Sequence, residues 1–283
     1  MPHPFDPGPV DEPFASLARD YPGAEAYPPE LFRVEWGPIF HRGRLDGSAR
    51  VLVIAQDPGQ HESIARRCLV GEAGHRVQGF LRKLGITCSY TIVNAYLYSV
   101  VVQPTQAQID QVEAQIAPYR NRWLEALLLD SAIEAVVTFG TIARMAFEAW
   151  RGPESSPRTR VAYQHVFHPT YPRTPEDSKR MLAQWNAALP PLRAALSETD
   201  ADPDLEPYGD DITAGEKPDI PEADLPAGAP PWMRSAETWA WRQALLPNGA
   251  GSHPSDVEIA EAKRATVVVS IPTDERPWKP LQP

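Results

Sequence analysis

Four stretches of the chain are apolar at consecutive positions, and amphipathic segments separate them. Val51 to Ala55 reads "VLVIA", a run of small and branched apolar residues too short for a helix and typical of a strand buried on both faces. "YTIVNAYLYSV", "IEAVVTFG" and "RVAYQHVF" repeat the pattern, the last running into "HPTYP". Between them the apolar residues recur at helical spacing. Val77, Phe80, Leu81 and Leu84 mark one face of a helix over about Ala73 to Leu84, and longer helices are expected from about Gln106 to Leu129 and from about Glu176 to Leu196. "TIARMAFEAW" is expected to be a helix beginning just after Gly140. Strands alternating with helices predict an α/β fold, a three-layer αβα sandwich around a mostly parallel four-stranded sheet. In such a sheet the functional loops gather at the carboxyl ends of the strands.

After Ser197 the pattern breaks down. Thirteen prolines are scattered among many acids, and no long periodic segment remains. A solvated tail is poor in aromatic residues, yet this one carries Trp232, Trp239, Trp241 and Trp278, and "ATVVVSIP" reads as a short strand. The expectation is a catalytic domain over residues 1–196 and an acidic extension over 197–283 that wraps the core and docks by its tryptophans.

Charge sharpens that division. Residues 1–196 hold 20 acids and 20 bases, which leaves 17 of the 37 acids and 7 of the 27 bases for the extension, so the whole net charge of −10 lies there. The bases of the first part are arginine except Lys83 and Lys179, and arginine forks suit phosphate oxygens. Cys68 and Cys88 alone are too few for a disulfide framework, a four-cysteine zinc site or a cysteine-held cluster. With no run of about 20 apolar residues, a soluble, unexported, monomeric protein is expected.

Three strand ends carry candidate chemistry: Asp57 in "QDPGQHE", Asn94 at the end of the second strand, and His168 in "FHPTYP". If the sheet is right they share one crevice. An amide can pair with a donor and an acceptor on a base edge, an imidazole can meet a developing oxyanion, and a carboxylate can stabilise a cation or orient water. The combination suits cleavage of a glycosidic bond. Tyr171 and Pro172 are candidates to wedge into a base stack, and Thr170 and Arg173 to hold phosphates. Arg66, Arg67 and Arg76 are further phosphate candidates, Glu62 reads as a solvated loop carboxylate, and His75 as structural.

From about Val51 to Leu182 these residues resemble the uracil-DNA glycosylase superfamily. The layout is similar to its iron–sulfur branch (family 4) at Pro58-Gly59, "LVGEAG" (69–74), "IVNA" (92–95), "FG" (139–140) and "FHPTY" (167–171), while "QDP" is similar to family 1. The resemblance implies that Asp57 stabilises the sugar cation and positions water, that Asn94 reads the uracil edge, and that His168 stabilises the anionic leaving group. It also implies that Gln56, Gly59 and Leu69 line the uracil pocket, Gly59 leaving space for the flipped nucleotide. Tyr98 and Ala117 stand where the iron–sulfur branch has cluster cysteines, so no cluster, metal or other cofactor is expected. Leu69 replaces the phenylalanine that stacks on uracil. The implied partner is uracil-containing DNA, with free uracil as product and a cytoplasmic, nucleoid-associated location. A glycosylase for hypoxanthine or mismatched thymine, or a binding protein without turnover, are the alternatives.

Overall fold

The computed structural model describes residues 5–129, 131–153, 161–196, 211–243, 255, 258–259, 262 and 266–271. Its centre is strand β2 (Val51–Ala55), every residue of which is buried. Val51, Val53 and Ala55 point into one apolar layer and Leu52 and Ile54 into the other, which is why the strand has no polar face. On its two sides lie the parallel strands β3 (Tyr90–Asn94) and β4 (Ala135–Phe139), and β5 (Ala162–Val166) extends the sheet beyond β4.

The sheet has five strands rather than the expected four. The additional one, β1 (Arg42–Gly43), runs antiparallel to β3 and completes the order β1-β3-β2-β4-β5. Two residues are too few to register as alternation, and the pairing is fixed by tertiary contact. A Cβ at Gly43 would lie 2.4 Å from the Tyr90 carbonyl oxygen, so the position accepts only glycine, in keeping with its φ of +99°.

Helices cover both faces. α3 (Glu72–Leu84) and α6 (Pro175–Ala195) pack Val77, Phe80, Leu81, Trp185 and Leu189 on one face, with the rings of Phe80, Phe139 and Trp185 meeting edge to face. α1 (Phe14–Arg19), α4 (Gln106–Leu128) and α5 (Thr141–Arg151) cover the other with Phe14, Ile116, Trp123 and Phe147. The second predicted strand stops early. After Asn94 the chain leaves the sheet, and Tyr96 and Tyr98 pack against Phe32 and Tyr27 in a buried loop, so the aromatic density that suggested a long strand belongs to loop packing.

Residues 211–242 of the C-terminal stretch are bound to the rest of the molecule at several points. Asn186 brackets Ile212 with two hydrogen bonds, accepting from its N–H at 2.8 Å and donating to its carbonyl at 3.3 Å. The chain then crosses α3, where His75 Nδ1 lies 2.9 Å from the Pro218 carbonyl and a Cβ at Gly79 would lie 2.9 Å from that of Glu216. Next, Asp224 is fully buried against β1, accepting from Arg42 at 3.1 Å, from Arg44 at 3.0 Å and from the Tyr90 hydroxyl. Finally, β6 (Ala240–Arg242) pairs antiparallel with β7 (Val267–Val269). Trp239 is buried and Trp232 packs on it at 5.2 Å, but Trp241 is 42% exposed and does not dock as expected. Trp278 lies outside the described residues.

A buried carboxylate shared by two guanidinium groups cannot be removed without stranding charge. Asp224→Ala is expected to cost about 3–5 kcal/mol of stability, because Arg42 would be left buried without its counter-ion. Glu222→Ala, which loses an exposed pair with Arg234, is expected to cost under about 1 kcal/mol. Urea denaturation of the two full-length variants checks the contrast.

Candidate active site

Asp57 follows β2 by two residues, and its carboxylate is oriented from two sides. The Gln56 side-chain amide donates to one oxygen at 2.9 Å and the Val100 backbone N–H to the other at 3.0 Å. Gln56 is itself held by Gln103, to which it donates at 3.1 Å. Pro58 behind it is buried. Burial pushes the Asp57 carboxyl up to about 6, against the two hydrogen bonds and the positive charge of Arg242, which favour the ionised form.

The loop is fastened to the next motif by Glu62, on the short helix α2 (Gln60–Ala65). One Glu62 oxygen accepts from the Gly59 N–H at 2.8 Å; the other accepts from Val70 at 2.8 Å and Gly71 at 2.9 Å. Glu62 is therefore a buried tie between "DPG" and "LVG" and not the solvated carboxylate its loop position suggested. A Cβ at Gly59 would lie 2.8 Å from a Glu62 oxygen, so the absence of a side chain there makes room for the carboxylate packed against it. Leu69 is buried with its backbone in the left-handed region at φ +50°, an uncommon state for a non-glycine residue. A Cβ at Gly74 would collide with its carbonyl oxygen, so that glycine is obligatory.

Asn94 pairs with Ala55 across the sheet, which sets it beside the strand that delivers Asp57. Its amide nitrogen lies 3.4 Å from Cys68 Sγ, while its carbonyl oxygen is buried and has no hydrogen-bond partner among the described residues. A buried acceptor left open is uncommon and costs about 1–3 kcal/mol. Burial also raises the Cys68 thiol well above its usual range, so Cys68 is a neutral neighbour.

His168 follows β5, two strands from Asp57, about 10 Å at ordinary strand spacing. Its Nδ1 accepts from the Thr170 N–H at 3.2 Å and lies 2.9 Å from the Thr170 hydroxyl. That leaves the neutral ring's proton on Nε2. Burial pushes the imidazole down to about 4, so the ring is uncharged at neutral pH. Gly140, at φ +93°, ends β4 between them, and a Cβ there would come within 3.1 Å of His168 Cβ.

The remaining candidates divide. Thr170 and Arg173 are exposed beside His168, while Tyr171 stacks on Phe167 at 4.6 Å and packs on the core with Pro172 half-buried beside it. Near the first motif, Arg66 donates to the Trp36 and Pro38 carbonyls, Arg67 is buried against Asp6 at 2.8 Å, and Arg76 pairs with Glu72 at 3.1 Å, so these three serve the fold. Sequence reasoning missed the tie made by Glu62 and the role of His61, whose Nε2 accepts from the Ala240 N–H at 3.3 Å and whose ring meets Trp239 edge-on at 4.7 Å. The spacing of Gly59 to Glu62 is that of a capping box and was the available signal for Glu62. His61 pairs with a segment about 180 residues away and left none.

The family model described as the uracil DNA glycosylase superfamily matches residues 42–189, just over half of the chain and all of the strand ends described above. No curated protein matches the chain.

Glu62→Ala would leave the Gly59, Val70 and Gly71 N–H groups without their acceptor. A loss of roughly 3 kcal/mol or more is expected, given about 1.5–3 kcal/mol for each hydrogen bond to a charged group. Amide hydrogen exchange should localise it: Val70 and Gly71 are expected to lose protection while β2 and β4 keep theirs.

Proposed function

Because the chain belongs to the uracil DNA glycosylase superfamily, and is thereby a DNA glycosylase acting on damaged bases, we propose that uracil is the base it removes. The observation that carries this reading is the buried, unpartnered carbonyl oxygen of Asn94 beside its amide nitrogen. Uracil offers N3–H to that oxygen and O4 to that nitrogen. Cytosine offers an acceptor and a donor in the reverse order, which sets acceptor against acceptor and donor against donor and leaves the buried carbonyl oxygen unpaired.

The chemistry follows from the two flanking groups. The target nucleotide is taken out of the stack so that its base lies against Asn94, with Leu69 as an aliphatic contact. As C1′–N1 breaks, negative charge grows on the uracil O2 and the neutral His168 donates to it from Nε2, an N–H held in direction by Thr170. Positive charge grows on the sugar, and the ionised Asp57 stabilises it until water adds. Gln56 and Val100 hold the carboxylate ready, so no reorientation is needed during the reaction.

Asp57→Asn is expected to lower kcat on a uracil-containing single strand by at least about a hundredfold, in the range of lost electrostatic stabilisation; excision at the wild-type rate would refute the assignment. Asn94→Asp is expected to raise release of cytosine relative to uracil, and an unchanged ratio would remove Asn94 from base reading. The pH dependence follows from the two environments. Asp57 acts as the anion, so kcat/KM is expected to fall on acidification below about pH 6, approaching tenfold per unit. His168 is neutral well above its own value of about 4 and adds no second limb between pH 5 and 8.

A further inference from the structure

The C-terminal stretch ends its path at the catalytic loop. Gln60, three residues after Asp57, donates from its side chain to the Ala240 carbonyl at 3.4 Å, and the Ala240 N–H donates to His61. Trp239 and Ala240 are buried there against Ala65 and Val70, so the start of β6 is fixed on α2. The strand then turns outward. Trp241 is 42% exposed opposite Val268, itself 37% exposed, and Arg242 is exposed opposite Val267. An indole left open on a fixed strand, next to a guanidinium, is an incomplete surface.

We propose that the β6–β7 hairpin is one wall of the DNA cleft, with Trp241 stacking on an unpaired base next to the flipped nucleotide and Arg242 meeting a backbone phosphate. The proposal rests on the glycosylase reading for the nature of the ligand. Three observations favour DNA as the occupant. An aromatic face beside a cation is what single-stranded nucleic acid uses, since every base has a π-face and every linkage a charge. An apolar protein partner would cover Trp241 and Val268 but leave Arg242 desolvated and unpaired. Arg66, Arg67 and Arg76 are engaged by the fold, which leaves the exposed Arg173 on the His168 side and Arg242 on the Asp57 side as cations flanking the site. Three acids of the described extension are already paired. Asp224, Glu216 and Glu222 are matched by Arg42 and Arg44, by Lys83 and by Arg234. The positive charge of Arg242 also favours the ionised form of Asp57.

The test uses the full-length protein and a single-stranded oligonucleotide carrying one 2′-fluoro-2′-deoxyuridine, whose glycosidic bond resists hydrolysis, with fluorescence anisotropy read across a salt series. Trp241→Ala is expected to weaken binding roughly tenfold, as for loss of one stacked base, and Trp241→Phe to retain most of the affinity. Arg242→Gln is expected to weaken binding and to reduce the slope of log Kd against log salt by about 0.7, the value for one phosphate on a single strand. Wild-type affinity and slope in both variants would overturn the proposal. So would an Arg242→Gln variant whose acid limb in kcat/KM moves while its DNA affinity and salt slope do not, since Arg242 would then act through Asp57 alone. Failure of the uracil reading is separate: wild-type protein would release no uracil from an ordinary uracil strand, whereas the salt slopes would still report whether the hairpin touches DNA.

Discussion

Three backbone N–H groups converge on the two oxygens of Glu62, and the geometry of the site depends on that convergence. The carboxylate joins Gly59, which follows Asp57 and Pro58, to Val70 and Gly71, which follow Leu69. The two turns that flank α2 within the β2–β3 connection are thereby held as one unit. The left-handed backbone at Leu69 is sustained by this tie and by the glycine at 74, since a residue without a Cβ is needed where the Leu69 carbonyl passes. On the other side of α2, His61 carries the contact outward to Trp239 and Ala240. One short helix thus couples the Asp57 loop, the Leu69 turn and the extension.

The two titratable groups of the site are separated by environment rather than by partner charge. Burial acts on both, and because it opposes whichever form is charged, it raises Asp57 and lowers His168. For the histidine this is useful directly, because a neutral ring oriented by Thr170 presents a fixed N–H. For the aspartate it is a cost, offset in part by Gln56, Val100 and the charge of Arg242. Part of that compensation comes from the extension, which ties the role of residues 240–242 to the chemistry at residue 57.

Much of this was legible in the chain. Strand β2, helix α3 and the start of α5 follow from apolar periodicity and from glycine at a helix entrance, because those elements satisfy their own local rules. That Asp57, Asn94 and His168 lie at or just beyond strand ends was legible from the strand pattern, because a parallel sheet gathers such ends on one side. What escaped was set by distant contact. β1 is two residues long and exists because Arg42 must reach Asp224 about 180 positions later. The stretch after Asn94 has strand composition but spends its aromatic rings on Tyr27 and Phe32. The carboxylate packed against Gly59 belongs to Glu62, a residue whose burial the sequence does not declare.

The measurement that bears most directly on the account is the identity of the base released by the full-length protein. Matched single-stranded oligonucleotides carrying one uracil, thymine, hypoxanthine or cytosine would be incubated in single turnover, with free bases separated and identified by mass. An amide that reads N3–H and O4 predicts release of uracil and no detectable release of cytosine. Cytosine leaving as fast as uracil would mean that Asn94 does not read the base, and would contradict the account.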